Sequence, residues 1–145
     1  MHNLFWIICS SKRFWSRGLA SAWGDANNLS DDDIKRFRWP AIANRLEAGL
    51  LAFTRAVVSG YGAYPGGDIK LFLDVMSLEN VNVSIVHGTN DNIVPISNSR
   101  KLVDLFAGAG LRLYSMDGLG HDPFEEDVDG FVRTANGAIQ ASRAK

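Results

Sequence analysis

Residues 81–95 decide the fold, and they read VNVSIVHG followed at once by TNDNIVP. The first part, Val81–Gly88, is β-branched and mostly apolar, which is typical of a strand buried in a parallel sheet. The strand is followed by Asn90, Asp91 and Asn92, whose side chains can hydrogen-bond their own backbone in a turn. Open α/β sheets bind ligands at the carboxyl ends of their strands, so a carboxylate in this loop is a candidate functional group.

A second strand and loop follow further along the chain. Leu111–Met116 predicts another strand, and residues 117–123, which read DGLGHDP, predict a second loop. A helix beginning at Ser97 fits between the two strands, as in a parallel crossover. Two parallel strands would place Asp91 and His121 at the same edge of one sheet.

The two loops also carry a family resemblance. The motif HGxxDxxxP at residues 87–95 and the motif GHxPxxE at residues 120–126 resemble the C-terminal third of an α/β-hydrolase. The resemblance implies that Asp91 is the acid of a catalytic triad and that His121 is its histidine. It also implies an α/β fold in which a partial parallel sheet is flanked by helices. No cofactor is implied.

The nucleophile of such a triad is missing from the sequence. The α/β-hydrolase chain order is nucleophile, acid, histidine, but no Gly-x-Ser-x-Gly occurs upstream of Asp91. Ser59 lacks both the preceding strand and the preceding glycine. A complete hydrolase core also usually exceeds 145 residues. We therefore expect the cap and C-terminal lobe of a hydrolase, from a truncated gene, a natural isoform or a pseudoenzyme.

Helix signals predict how the rest of the chain is arranged. Ser30 and Asp33 form a capping-box pattern that begins a helix, and Trp39-Pro40 is expected to break it and begin another. Apolar residues then recur at helical spacing over 42–57. A loop at 60–67, a short helix at 68–78 and a final helix at 127–144 complete the prediction. Residues 1–40 are interpreted as a cap or lid region and 41–145 as the C-terminal portion of the hydrolase core.

The predicted buried faces of two helices follow from the same spacing. The inward residues of the helix beginning at Ser97 are expected to be Leu102, Val103 and Phe106, and those of the final helix Val128, Phe131, Val132, Ala135 and Ile139.

Two groups of residues have both a structural and a functional interpretation. The run Asp31–Asp33 is more simply explained by helix capping than by metal binding, because no histidine or further ligand lies nearby. Four aromatic side chains in the predicted cap could line a substrate pocket or simply pack against their neighbours: Phe14, Trp15, Trp23 and Trp39.

The N-terminal segment has two interpretations. Lys12, Arg13 and Arg17 precede the first acidic residue, Asp25, which is a weak sign of a plastid or mitochondrial transit peptide. A cap helix is favoured because aromatic and leucine side chains recur every four residues from position 15 to position 23. The apolar run at 4–9 is too short to span a membrane.

Composition excludes several classes of protein. A net charge of −1 and a pI of about 6.3 give no electrostatic argument for nucleic acid or an anionic membrane as a partner. The single cysteine, Cys9, excludes an internal disulfide, and no zinc-ligand spacing occurs. We expect a location in the cytoplasm or inside an organelle rather than secretion.

The resemblance to α/β-hydrolases implies a function. The expected activity is serine-type hydrolysis of a small ester or a related bond, with the chain alone inactive. The alternative is a non-catalytic fragment or pseudoenzyme that acts by binding protein. An unpaired sheet edge would allow self-association.

Overall fold

The structure is a computed structural model that describes residues 2–43, 49, 51–52, 55 and 81–143. Within these ranges the chain is mostly helical, and a two-stranded parallel sheet is flanked by helices. The chain divides into two compact units, Met1–Ala20 with Leu29–Pro65 and Ser21–Asn28 with Gly66–Lys145. These divisions fall at different residues from the predicted cap–core boundary at 40/41.

The first unit is built on helices. They are α1 (His2–Ser10), the greater part of α2 (Lys12–Ala22) and α3 (Asp31–Ala43). The indole Nε1 of Trp15 donates to the Cys9 carbonyl at 2.6 Å, and the Arg38 guanidinium donates to the Ser10 carbonyl at 2.6 Å. These bonds satisfy two carbonyls at the C-terminal end of α1, which the helix itself leaves without partners.

The start of α3 confirms the predicted capping box. The Asp33 backbone N–H donates to the Ser30 hydroxyl at 3.1 Å, and the Ser30 N–H donates to the Asp33 carboxylate at 3.0 Å. The predicted break at Pro40 is wrong, because α3 continues to Ala43. Ile34 and Ala41, seven residues apart on one helix face, are both buried. The free energy gained by burying this face outweighs the cost of the backbone hydrogen bond that Pro40 cannot donate.

The second unit contains the sheet. Strand β1 (Ser84–Gly88) pairs in parallel with β2 (Arg112–Met116), as the sequence predicted, although both strands begin later than expected. The pairing register sets His87 opposite Ser115 and Gly88 opposite Met116. The loops that follow the two strands therefore leave the same edge of the sheet.

Three further helices belong to this unit. Helix α4 (Ile96–Leu105) connects the strands, α5 (Pro123–Glu126) is a single turn, and α6 (Val128–Arg143) ends the described chain. The buried residues of these helices are Ser99, Pro123, Gly130 and Ala138.

The predicted buried faces of α4 and α6 are partly wrong. Phe106 is buried, but Leu102 on α4 and Val128, Val132 and Ile139 on α6 are each more than two-fifths exposed. Two strands about 5 Å apart cover less width than one helix with its side chains, about 10 Å. Part of each apolar face therefore extends past the sheet.

Several predictions lie outside the described residues. They are most of the helix at 42–57, the loop at 60–67 and the helix at 68–78. In the ranges that the structure does describe, no helix has both the length and the apolar character needed to cross a membrane.

Candidate functional site

The side chains of Asp91 and His121 meet where β1 and β2 end. Nδ1 of His121 lies 2.9 Å from Oδ2 of Asp91, so the contact predicted from the strand order is present. The Asp91 side chain is only 4% exposed, whereas that of His121 is 39% exposed. The pair thus joins a buried carboxylate to a ring whose outer side faces solvent.

The local turn after β1 fixes the orientation of the carboxylate. Oδ1 of Asp91 accepts the backbone N–H groups of Ile93 and Val94, each at 2.8 Å. This is the predicted turn in which an Asp side chain bonds its own backbone. Because Oδ1 is held by two amides, Oδ2 is left to face the histidine.

A second histidine contacts the same oxygen. Nε2 of His87 lies 3.1 Å from Oδ2 of Asp91 and 2.9 Å from the Val94 carbonyl oxygen. Both neighbours are acceptors, so Nε2 carries a hydrogen, and Nδ1 is hydrogen-bonded to the Ser99 hydroxyl 2.7 Å away. These contacts hold His87 on the buried side of Asp91, with its ring 10% exposed.

The pKa of Asp91 reflects two opposing influences. Burial is the largest and by itself raises the pKa of the carboxyl. The N–H of Val94, the hydrogen bond from His121, the N–H of Ile93 and the charge of His121 act against it, so the pKa is lowered from its ordinary value. Asp91 is therefore an anion at neutral pH although it lies in the interior.

Contacts between the two loops hold the pair in place. The Thr89 N–H donates to the Met116 carbonyl at 3.0 Å, and the Asn90 N–H donates to the Leu119 carbonyl at 2.8 Å. The Thr89 hydroxyl accepts the Gly118 N–H at 2.8 Å and donates to an Asp117 carboxylate oxygen at 3.1 Å. Gly118 has a positive φ of 75°, a conformation that glycine adopts without strain.

A short N-terminal segment completes the His121 loop. The His121 N–H donates to the Ala22 carbonyl at 2.6 Å. Glu126 bridges the segment and the loop, because its two carboxylate oxygens accept the N–H groups of Gly120 at 2.7 Å and Gly24 at 2.8 Å. Residues 22–24 are thus part of the site, and Glu126 is a positioning residue for His121.

Close backbone packing requires glycine at three positions. A Cβ added to Gly24 would overlap backbone atoms of residues 118–120, and one added to Gly120 would overlap backbone atoms of residues 22–24. A Cβ on Gly88 would overlap the carbonyl oxygens of Leu119 and Gly120. The His121 loop is therefore packed backbone to backbone against both β1 and the N-terminal segment.

Sequence reasoning found part of this arrangement and missed part. It identified Asp91 and His121 from their positions after strands. It did not identify the bridging carboxylate, Glu126, because the neighbouring acid Glu125 also follows Pro123 and nothing local distinguishes the two. No sequence signal marked Gly24, which lies 102 positions from Glu126 and contributes only a backbone amide.

The arrangement suits proton transfer at the outer ring nitrogen. Because the Asp91 carboxylate can only accept, it keeps a hydrogen on Nδ1 of His121, and in the neutral form of the ring Nε2 then has the lone pair that can accept a proton from a hydroxyl group. Among residues 2–43 and 81–143, no hydroxyl or thiol is hydrogen-bonded to that nitrogen. The same part of the chain contains no group of three or more His, Cys, Asp or Glu side chains placed to hold a metal ion.

Comparison with known proteins gives no independent identification. No family model matches the chain, and no solved structure matches it. Function must therefore be argued from the site itself.

Proposed function

We propose that Asp91 and His121 are the orienting acid and the general acid–base of a serine-type hydrolytic site of the α/β-hydrolase kind. The observation that carries this proposal is the 2.9 Å contact between a carboxylate that is 4% exposed and a histidine that is 39% exposed. The position of both groups after parallel strands supports it, because α/β sheets carry their chemistry at that edge. The substrate class is a small ester or a related bond.

His121 moves the proton in this proposal. Nε2 takes the proton of a nucleophilic hydroxyl as its oxygen attacks the carbonyl carbon, and then gives that proton to the leaving alkoxide. Asp91 keeps Nδ1 protonated and stabilises the imidazolium between the two steps. The Ala22 carbonyl accepts the His121 N–H, and Glu126 accepts the N–H of the preceding Gly120, so the ring keeps one position through both transfers.

The residues that we assign account for only part of such a site. Neither a Gly-x-Ser-x-Gly nucleophile nor an oxyanion hole is assigned to this sequence, and oxyanion stabilisation is usually the larger contribution to rate. We therefore propose that the 145-residue chain alone is inactive as an esterase. The nucleophile would come from sequence encoded upstream of Met1.

Two assays of the purified chain test its inactivity. We expect no hydrolysis of p-nitrophenyl esters above buffer and no labelling of serine by a fluorophosphonate. Stoichiometric labelling of one serine would contradict the proposal and would identify a nucleophile within the chain.

The gene or transcript upstream of Met1 tests the source of the nucleophile. We expect an in-frame Gly-x-Ser-x-Gly, and a protein extended to include it should react with the fluorophosphonate. In that protein, His121→Ala or Asp91→Asn should lower the esterase rate by about 10³- to 10⁴-fold. Lys35→Ala is the control, because Lys35 lies on α3 and pairs with the exposed Asp32. An active extended protein in which His121→Ala has no effect would refute the assignment.

A second candidate function is binding of another protein chain. Exposed apolar side chains on α4 and α6 favour it, among them Leu105 at 61% and Ile139 at 49%. The upstream sequence discriminates between the two candidates. If no nucleophile motif is encoded there, while the chain still forms a defined complex, the non-catalytic role is favoured.

A further inference from the structure

The first unit carries a surface that combines basic and apolar side chains. A groove of about 550 Å³ lies between the second half of α1 and the first half of α2. The residues that line it are Ile7, Ile8, Ser11, Arg13, Phe14, Arg17 and Gly18. We call these residues the α1–α2 groove.

The apolar side chains of the groove are exposed. Ile7 is 57% exposed, Ile8 43% and Phe14 43%, and Trp6 beside them on α1 is also exposed. The apolar side chains of a monomeric protein are seldom grouped on its surface without a partner. Tryptophan and phenylalanine are also the residues that interfacial helices place at the boundary between lipid headgroups and acyl chains.

The charge of the groove is positive although the whole chain is nearly neutral. The first acidic residue in the sequence is Asp25, so every charged side chain from the start of the chain to the end of α2 is cationic. Lys12 is paired with Asp31 at 2.9 Å. Arg13 and Arg17, one helical turn apart, have no acidic partner among the described residues. The net charge of the chain therefore conceals a local basic face.

We propose that the α1–α2 groove docks on the surface of an anionic lipid bilayer. Arg13 and Arg17 would contact headgroup phosphates and carboxylates, while Ile7, Ile8 and Phe14 would enter the boundary with the acyl chains. The two short helices lie on the bilayer and do not cross it, because a span needs about 20 apolar residues. A soluble partner would need an acidic patch directly beside an apolar one, whereas an anionic bilayer presents anionic headgroups next to acyl chains over its whole surface.

Vesicle flotation tests the proposal without confusing binding with aggregation. The purified chain is mixed with vesicles of phosphatidylcholine plus phosphatidylserine, or of phosphatidylcholine alone, and the floated protein is measured. We expect flotation with the anionic vesicles and little with the neutral ones. Binding should weaken in about 1 M salt, where the Debye length falls to about 3 Å. The salt comparison uses the unmodified chain, so it does not depend on any variant folding correctly.

Variants identify the surface that binds. Arg13→Gln with Arg17→Gln should weaken binding by roughly five-fold per arginine, and Ile7→Ser with Phe14→Ser should weaken it further in salt. The matched control is Arg100→Gln with Lys101→Gln, two exposed cations of α4. Circular dichroism should show the same helix content in all variants.

The opposing outcomes are equally specific. Absence of flotation with either vesicle, equal flotation with neutral vesicles, or an equal loss in the Arg100/Lys101 control would each overturn the proposal. Because the groove shares no residue with the proposed hydrolytic site, failure of this proposal leaves that of the hydrolytic site unaffected.

Discussion

Two regions of the molecule differ in how well their side chains are satisfied. The loops at the carboxyl end of the sheet pair their polar groups, whereas α4 and α6 leave apolar side chains exposed. In the loops, the buried Asp91 carboxylate accepts three hydrogen bonds and contacts His87, and the His121 N–H donates to the Ala22 carbonyl. On the helices, Leu105 and Ile139 are 61% and 49% exposed. The polar groups around Asp91 and His121 thus have hydrogen-bond partners, whereas the apolar faces of the helices need a surface that two strands do not provide.

The largest effect expected from this contrast is on the state of association. A two-stranded sheet is marginal by itself, and a groove of about 220 Å³ beside β1 is lined by Val86, Ala138 and Ile139. We predict that the purified chain is an oligomer, an aggregate or a molten monomer. Ile139→Glu should alter sedimentation, while the neighbouring Gln140→Glu should not. A monodisperse monomer with a sharp, cooperative thermal transition would contradict the prediction.

Replacing the Asp91 carboxylate tests how much its hydrogen bonds stabilise the fold. In Asp91→Asn, an amide NH₂ in place of Oδ2 would face the N–H groups of His121 and His87. We expect the free energy of unfolding to fall by about 3 kcal/mol, since buried donors lose a charged acceptor.

The tautomer of His121 gives a second measurement of the effect of Asp91→Asn. Nitrogen-15 chemical shifts should show the Nδ1–H form of His121 in the wild type and its loss in Asp91→Asn. Asp32→Asn is the control, because the Asp32 side chain is 88% exposed and its pair with Lys35 stabilises little. An unchanged tautomer in Asp91→Asn would show that the contact does not orient the ring.

A pair of glycine substitutions compares tight and open backbone packing. Gly88→Ala places a Cβ against two backbone carbonyls and should lower the free energy of unfolding by about 1–3 kcal/mol. Gly137→Ala in α6 meets no atom within 4 Å and should raise it by about 0.5–1 kcal/mol. Urea denaturation at one protein concentration measures both changes. Equal effects at the two positions would show that the His121 loop is not packed on β1 in solution.

The Glu126 bridge should have a smaller effect. Glu126→Ala removes an acceptor from the Gly24 and Gly120 amides, so we expect a loss of about 1–2 kcal/mol. Glu126→Gln retains one carbonyl oxygen and should lose about half as much. Hydrogen exchange at the two glycine amides checks the mechanism, and unchanged protection in Glu126→Ala would rule out the bridge.

The smallest effect expected is the dependence on pH. Because the folded pKa of Asp91 is lowered, the unfolded chain binds more protons at acid pH. The stability from Asp91 is therefore fully present above the unfolded pKa, about 3.9, and is lost as the pH falls through the lower folded pKa. The denaturation difference between wild type and Asp91→Asn should be constant near neutrality and should shrink below about pH 4. A difference that grows with acidity would contradict this sign.

The sequence by itself determined the elements whose causes are local. Hydrophobic runs ending in polar turns predicted the two strands, and a connection of 23 residues between them, 89–111, favoured a parallel crossover, which brings Asp91 to His121. The Ser30–Asp33 capping box likewise needs only neighbouring residues, and it formed as predicted.

Tertiary structure alone decided the features that depend on distant backbone or on sheet width. Gly24 and Ala22 reach the site through an amide and a carbonyl, groups that every sequence has and that carry no pattern. Pro40 stays within α3 because Ile34 and Ala41 are buried on one face. Helix propensity does not include the free energy gained by that burial, so the local sequence did not predict it. The exposure of Val132 on α6 depends on how many strands lie beneath the helix, and helical spacing predicts a face but not what covers it.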